Sequence, residues 1–220
     1  MISERIYQFL ETLSKNNNRE WFLENKKWYD ECKLEIDNIA AKILKELKLI
    51  DNRLASIEVK DCVYRIYRDV RFSKDKTPYK THFGIYFAPG GKSSWNPGYY
   101  LHIEPNNSFF GGGVWMPQSS VLKAIRQEIY YNAEDFISIL NEKNLKKYFN
   151  GLDETDKIQR PPKDYSADFK HIEILKNKSF LLTHKLSNKD ICGGKSIDFV
   201  IDGFKTIYPL NVFLNNAFQK

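Results

Sequence analysis

Apolar residues first recur at steps of three and four. Ile6, Phe9, Leu10 and Leu13 keep that spacing and predict a short opening helix. The run Asn16, Asn17, Asn18 breaks it, and Asn18 is suited to cap a long second helix. In that helix Phe22, Tyr29, Cys32, Ile36, Ile39, Ile43 and Leu47 form one stripe and charged residues cover the rest. Trp21 and Trp28 flank the stripe and read as core. From Ser56 to Trp115 the period falls to two. Residues 63–72, 81–88 and 99–104 then read as strands rich in β-branched and aromatic side chains. The stretch 88–98 is a turn-rich loop, and 109–117 reads as a further strand bent by Gly111, Gly112 and Gly113.

Helical spacing returns at Ser119, with Leu122, Ile125 and Ile129 on one stripe and Phe136, Ile139 and Leu140 on another. A polar, proline-containing connection covers 151–169. Beyond it the pattern predicts a short helix at 171–176, a strand at 180–186 and a terminal helix over 197–218, interrupted at Pro209. Connections among the central strands are short, which favours antiparallel pairing over crossovers. The expected fold is α+β: a mainly antiparallel central sheet packed with N-terminal and C-terminal helices. We expect a single domain over 1–220, helical in 1–50, strand-rich in 56–117 and mainly helical in 118–220.

Composition narrows the function classes. Hydrophobic residues make up 42% of 220 and aromatics 15%, enough for a large core and too many for disorder. No apolar run is long enough for a membrane-spanning helix, and the start, with Glu4 and Glu11, lacks a signal-peptide run. The expectation is a cytoplasmic protein without a membrane partner. Cys32, Cys62 and Cys192 are widely spaced, which argues for structural thiols rather than a disulfide framework or a cysteine-rich zinc site. The net charge is +6, and residues 61–80 hold six basic side chains against three acidic ones. That excess is local, unlike the continuous stripe of a protein that coats nucleic acid.

Alternation along 63–72 sends Arg65, Tyr67, Asp69 and Arg71 to one face and Tyr64, Ile66, Val70 and Phe72 to the other, with Arg68 the exception. Lys80, His82 and Tyr86 share a face on the next strand, and Tyr100, His102 and Glu104 on the third. Merged, these faces predict a cationic surface carrying two carboxylates and two imidazoles. Arg65, Arg68 and Arg71, with Lys80 and His82, would bind a phosphate or carboxylate, for which guanidinium forks are suited. Asp69 would orient an arginine or act as base, and His102 with Glu104 would relay protons. The same face is also what a solvated antiparallel sheet shows. A metal held by His82, His102 and Glu104 is chemically possible, but sheet histidines are usually just hydrogen-bonded, so the expectation is no metal. Residues 73–80 lack the glycines of a phosphate-binding loop, and Lys74 and Lys76 read as a solvated hairpin tip.

The segments "NNNREWFLENKKWYD" (16–30), "YRIYRDVRFSKDKTPYKTHFG" (64–84), "PGYYLHIEP" (97–105), "GGGVWMP" (111–117) and "RPPKDYSADF" (160–169) resemble, in collinear order, a bacterial family of conserved hypothetical proteins, domain of unknown function 2461. The likeness spans nearly the whole chain. Asp164 departs from it, standing where that family commonly has Gly. The resemblance carries the motif positions Arg65, Arg68, Asp69, Arg71, Phe72, Lys74, Asp75, Lys76, Pro78, Tyr79 and Lys80, and implies no particular reaction, so the cofactor stays unknown. The leading expectation is a small anionic ligand at the Arg-rich face, with or without acid–base chemistry. The rival is a nucleic-acid-binding or scaffold module, suggested by a pI near 9.0, the Lys-rich tip, Trp95 and Tyr99. A third reading makes the motif architectural, its Arg–Asp pairs tying the second helix to the sheet.

Overall fold

The computed structural model describes residues 2–193 and 196–218. Its first helix, α1 (Glu4–Lys15), buries Ile6, Phe9, Leu10 and Leu13, as their spacing predicts. The long second helix divides into α2 (Arg19–Glu24) and α3 (Lys26–Lys48). Asn18 caps α2, its side chain accepting from the Trp21 N–H at 2.9 Å. Asn25 ends it: its side-chain amide donates to the Trp21 carbonyl at 2.9 Å, a local bond that competes with the helical ladder. Along α3 the predicted stripe from Tyr29 to Leu47 is buried, and Trp21 and Trp28 pack against the core.

A short helix α4 (Val59–Cys62) leads into the sheet region. The sheet runs β1 (Phe83–Phe87), β2 (Gly98–Ile103), β3 (Ser108–Val114) and β4 (Phe180–Leu186), in that spatial order and antiparallel throughout. Between β3 and β4 come α5 (Ser119–Tyr131), α6 (Ala133–Asn141), α7 (Lys143–Lys146) and α8 (Ile172–Leu175). After β4 come α9 (Asn188–Cys192) and α10 (Ser196–Asn216). This is an α+β fold with helices at both ends of the chain.

Alternation sorts the sheet into two faces. Phe83, Ile85, Phe87, Tyr99, Leu101, Ile103, Phe110, Val114, Phe180 and Leu182 are buried beneath the helices. Helix α10 packs across β3 on this side. Gly112 permits the approach, because a Cβ there would lie 2.8 Å from Ile207 and 2.6 Å from the Gly98 carbonyl oxygen. The expected interruption at Pro209 does not occur, and α10 runs through it. Burial of Ile207, Leu210, Phe213 and Leu214 along the same helix outweighs the one backbone bond that proline removes.

A buried polar knot ties this layer together. Asp51, 1% exposed, accepts from Arg53 at 2.7 and 2.6 Å and from the Tyr99 hydroxyl at 3.0 Å. Arg53 also donates to the Asn211 carbonyl of α10 at 3.1 Å, and the Asn211 side chain donates to the Gly98 carbonyl of β2 at 3.1 Å. No described helix is long and apolar enough to cross a membrane.

Residues 63–72 do not form the regular strand that their alternation predicts. They are one arm of an irregular hairpin, joined by isolated pairings of Val63 with Ile85 and Tyr67 with Tyr79. The reason is local competition for backbone donors. The Asp69 carboxylate takes the Arg71 N–H at 3.3 Å, and Asp75 takes the Thr77 N–H at 2.9 Å, so the tip folds on its own side chains. The hairpin is anchored to the helices by Asn17, which donates to the Tyr79 carbonyl at 2.9 Å and accepts from its N–H at 3.1 Å. Phe22 stacks on the Tyr79 ring with centroids 4.0 Å apart.

Candidate functional site

The sheet face turned away from the helices is floored by residues of alternate parity: Gly84 and Tyr86 on β1, Gly98, Tyr100 and His102 on β2, Phe109, Gly111 and Gly113 on β3, Leu181 and Thr183 on β4. Gly113 has φ +114, a conformation that a side chain rarely tolerates. Where the floor carries no side chain, a cleft of about 690 Å³ opens. Tyr64, Tyr86, Tyr100, Phe109, Trp95 and Trp115 make aromatic walls, and Lys80, His82 and His102 lie at one end.

The predicted face is thereby split. Lys80, His82, His102 and Glu104 are brought together. Continuing the β1–β2 register by one position sets His82 opposite Glu104, with His102 beside them. The His82 and His102 rings lie 4.3 Å apart between centroids, and Phe109 stacks on His102 from the other side at 4.8 Å. His102 Nε2 is 3.2 Å from Glu104 Oε2, and its Nδ1 is 3.0 Å from the Tyr100 hydroxyl. Glu104 also accepts from Thr81 at 3.1 Å and from Asn107 at 2.7 Å. One ligand atom from each of His82, His102 and Glu104 falls within 4.8 Å of the other two.

The arginines disperse. Arg68, the exception to alternation, donates to Asp75 and to the hydroxyl and carbonyl of Thr77, the last at 3.2 Å. It closes the hairpin. Arg71 forms a two-pronged pair with Asp69 at 3.0 and 2.7 Å on the exposed hairpin. Arg65 lines a second, more open concavity of about 400 Å³ shared with Tyr29, Lys33, Lys80 and Lys92. Tyr64, expected on the core side, instead lines the cleft. Val63 is buried and pairs with Ile85, while Ile66 is buried and Arg65, Tyr67, Asp69 and Arg71 are exposed, so the alternation holds at Ile66 and these four and Tyr64 leaves its expected side.

Electrostatics favour neutral imidazoles and an available cation. Burial pushes His82 down to about 4, helped by the neighbouring His102 and Lys80. Burial also lowers His102, against the pull of Glu104. At Glu104 burial acts upward, but hydrogen bonds from Asn107, His102 and Thr81 outweigh it and hold the carboxyl below its usual range. Lys80 is half-buried and lowered, first by burial and then by Arg65. Its ammonium lies 5.2 Å from the centre of the Tyr64 ring and has no carboxylate partner among the described residues. Lys92 gives its ammonium to the Lys60 carbonyl.

Sequence reasoning missed Tyr64, Lys92, Phe109 and Trp115 as cleft walls and Asn107 as a support for Glu104. Strand parity could have found Phe109, which shares its face with Gly111 and Gly113. Lys92 sits in a single 3-10 turn and the others lie outside the regular strands, where periodicity carries no signal. Comparison with curated proteins returns no match, nor does comparison with solved structures. The family model of a conserved hypothetical protein, DUF2461, matches residues 5–213, and the chain belongs to that family.

Proposed function

We propose that the aromatic-walled cleft binds a small anion, phosphate- or carboxylate-bearing, attached to a planar or apolar body. The observation that carries this reading is Lys80, a half-buried ammonium without a carboxylate partner among the described residues, at the end of a cleft of about 690 Å³. Ligand cleft volumes commonly fall between about 300 and 1,000 Å³. A half-buried cation without its own acid is set to take an external one. The glycine floor and the rings of Trp95, Tyr100 and Trp115 suit a flat ligand body. Arg65 supports Lys80 from the adjoining concavity. His102 and Glu104, hydrogen-bonded at the same end, supply acid–base capacity. Asp69, Arg68 and Arg71 are committed to the hairpin and take no part. We place the protein in the cytoplasm, a reading supported by three cysteines that remain free thiols.

The test is titration calorimetry of the chain with phenyl phosphate and with benzoate. At least one binds saturably, and Lys80→Gln weakens it about 10- to 100-fold, the loss of one charge-assisted hydrogen bond. Arg71→Gln leaves the affinity unchanged. Binding that survives Lys80→Gln, or that Arg71→Gln abolishes, would move the site to the hairpin.

A further inference from the structure

We propose that His82, His102 and Glu104 form a binding site for one first-row divalent transition-metal ion, of the zinc or cobalt class, at the Lys80 end of the cleft. The inference stands apart from the anion reading, since it does not need Lys80, and of the aromatic walls it uses only Tyr100 and Phe109, as supports for His102.

Three features carry it. The first is the donor set. Two imidazoles and one carboxylate, with no thiolate, suit zinc and its first-row neighbours. Donor atoms around such an ion lie roughly 3–3.5 Å apart, because metal–ligand bonds measure about 2.0–2.2 Å. His102 Nε2 and Glu104 Oε2 are already 3.2 Å apart, and no pair in the trio exceeds 4.8 Å. A side-chain adjustment of about 1–2 Å closes the widest gap, within the reach of rotamer motion.

The second is support behind the ligands. Ligating histidines usually carry a hydrogen bond on the other ring nitrogen, and ligating carboxylates are themselves hydrogen-bonded. His102 has the Tyr100 hydroxyl at 3.0 Å from Nδ1, and Glu104 has Thr81 at 3.1 Å and Asn107 at 2.7 Å. A tyrosine hydroxyl accepts as readily as it donates. His102 can therefore keep its proton on Nδ1, facing Tyr100, and turn the lone pair of Nε2 to a cation. Stacking between Phe109 and His82 fixes the ring plane.

The third is His82. It is half-buried, and neither of its nitrogens has a hydrogen-bond partner among the described residues. Three protein ligands leave coordination positions over, the arrangement of open rather than purely structural sites. His82 and His102 line the cleft, so those positions are within reach of whatever occupies it.

The experiment uses the full chain stripped with chelator, then titrated with Co²⁺ while its visible absorption is read, and with Zn²⁺ in competition. One equivalent of Co²⁺ binds with a visible band, and Zn²⁺ displaces it. His82→Ala and Glu104→Gln each weaken binding at least about 10-fold, while Cys192→Ser leaves it unchanged. His82→Ala removes no hydrogen bond and Glu104→Gln keeps the shape, so both fold, as circular dichroism will verify. His102→Ala gives the same loss if it folds. No stoichiometric Co²⁺ or Zn²⁺ binding at micromolar concentrations, or binding indifferent to His82→Ala and Glu104→Gln, overturns the proposal.

Discussion

Arg68 and Arg71 lie three positions apart on one hairpin and are held in different ways. Arg68 is 26% exposed in its side chain and ties Asp75 and Thr77 across the turn, whereas Arg71, 76% exposed, pairs with Asp69 and lies over the exposed ring of Phe72. Arg68→Ala is therefore expected to lower stability by about 1–2 kcal/mol in urea unfolding, through loss of the hydrogen bonds that its partly buried guanidinium makes to Thr77 and Asp75. Arg71→Ala is expected to leave the midpoint where it was, because exposed pairs are screened. The sequence marked Arg68 as anomalous through its place on the apolar side of an alternating run. What alternation could not supply was its partner, since a turn made by side-chain acceptors has no period. The trio His82, His102 and Glu104 was legible, because β1 and β2 are regular and their register follows from their own alternation.

The hairpin is also where stability should respond to acid. Asp75 is held down from the ordinary 3.8 to about 2 by the Thr77 N–H, the Arg68 guanidinium and the Thr77 hydroxyl. The unfolded segment takes up its proton first, so the carboxylate's contribution is complete above pH ~4 and is lost as pH falls through about 2. Asp69 behaves alike, lowered to about 2 mainly by Arg71. Amide-exchange protection of Thr77 should fade over that window while β2 and β3 stay protected, and Asp75→Asn should remove the dependence. Persistent protection at Thr77 below pH 2 would contradict the proposed tie. Among the other elements, β1, β2, β4, α1 and α5 could be read directly from period. The break at Asn25 and the continuity through Pro209 could not, because each depends on what the segment packs against rather than on its own pattern.

Across the whole molecule, one sheet face is buried beneath the helices and the other is left open. The helical side is locked by Asp51, whose carboxylate joins Arg53 after α3 to Tyr99 of β2 and, through Arg53, to α10. Asp51→Ala would leave that guanidinium, 23% exposed, without its acid, and should cost about 3–5 kcal/mol in chemical denaturation. A smaller loss, near that of an exposed pair, would show that water satisfies Arg53. Because the helices fix the sheet from behind, the open face can carry glycines and a cleft without loss of register. Nothing in the residues of 61–80 alone reveals that their cations part company, Lys80 to the cleft and Arg68 and Arg71 to the turn. The most direct measurement is a crystal structure of the chain grown with saturating phenyl phosphate. The phosphate is expected within hydrogen-bond distance of Lys80 Nζ, with the ring against the walls formed by Trp95 and Tyr100. A phosphate seated on Arg71 of the hairpin, or a cleft without ligand under those conditions, would contradict the proposed anion site.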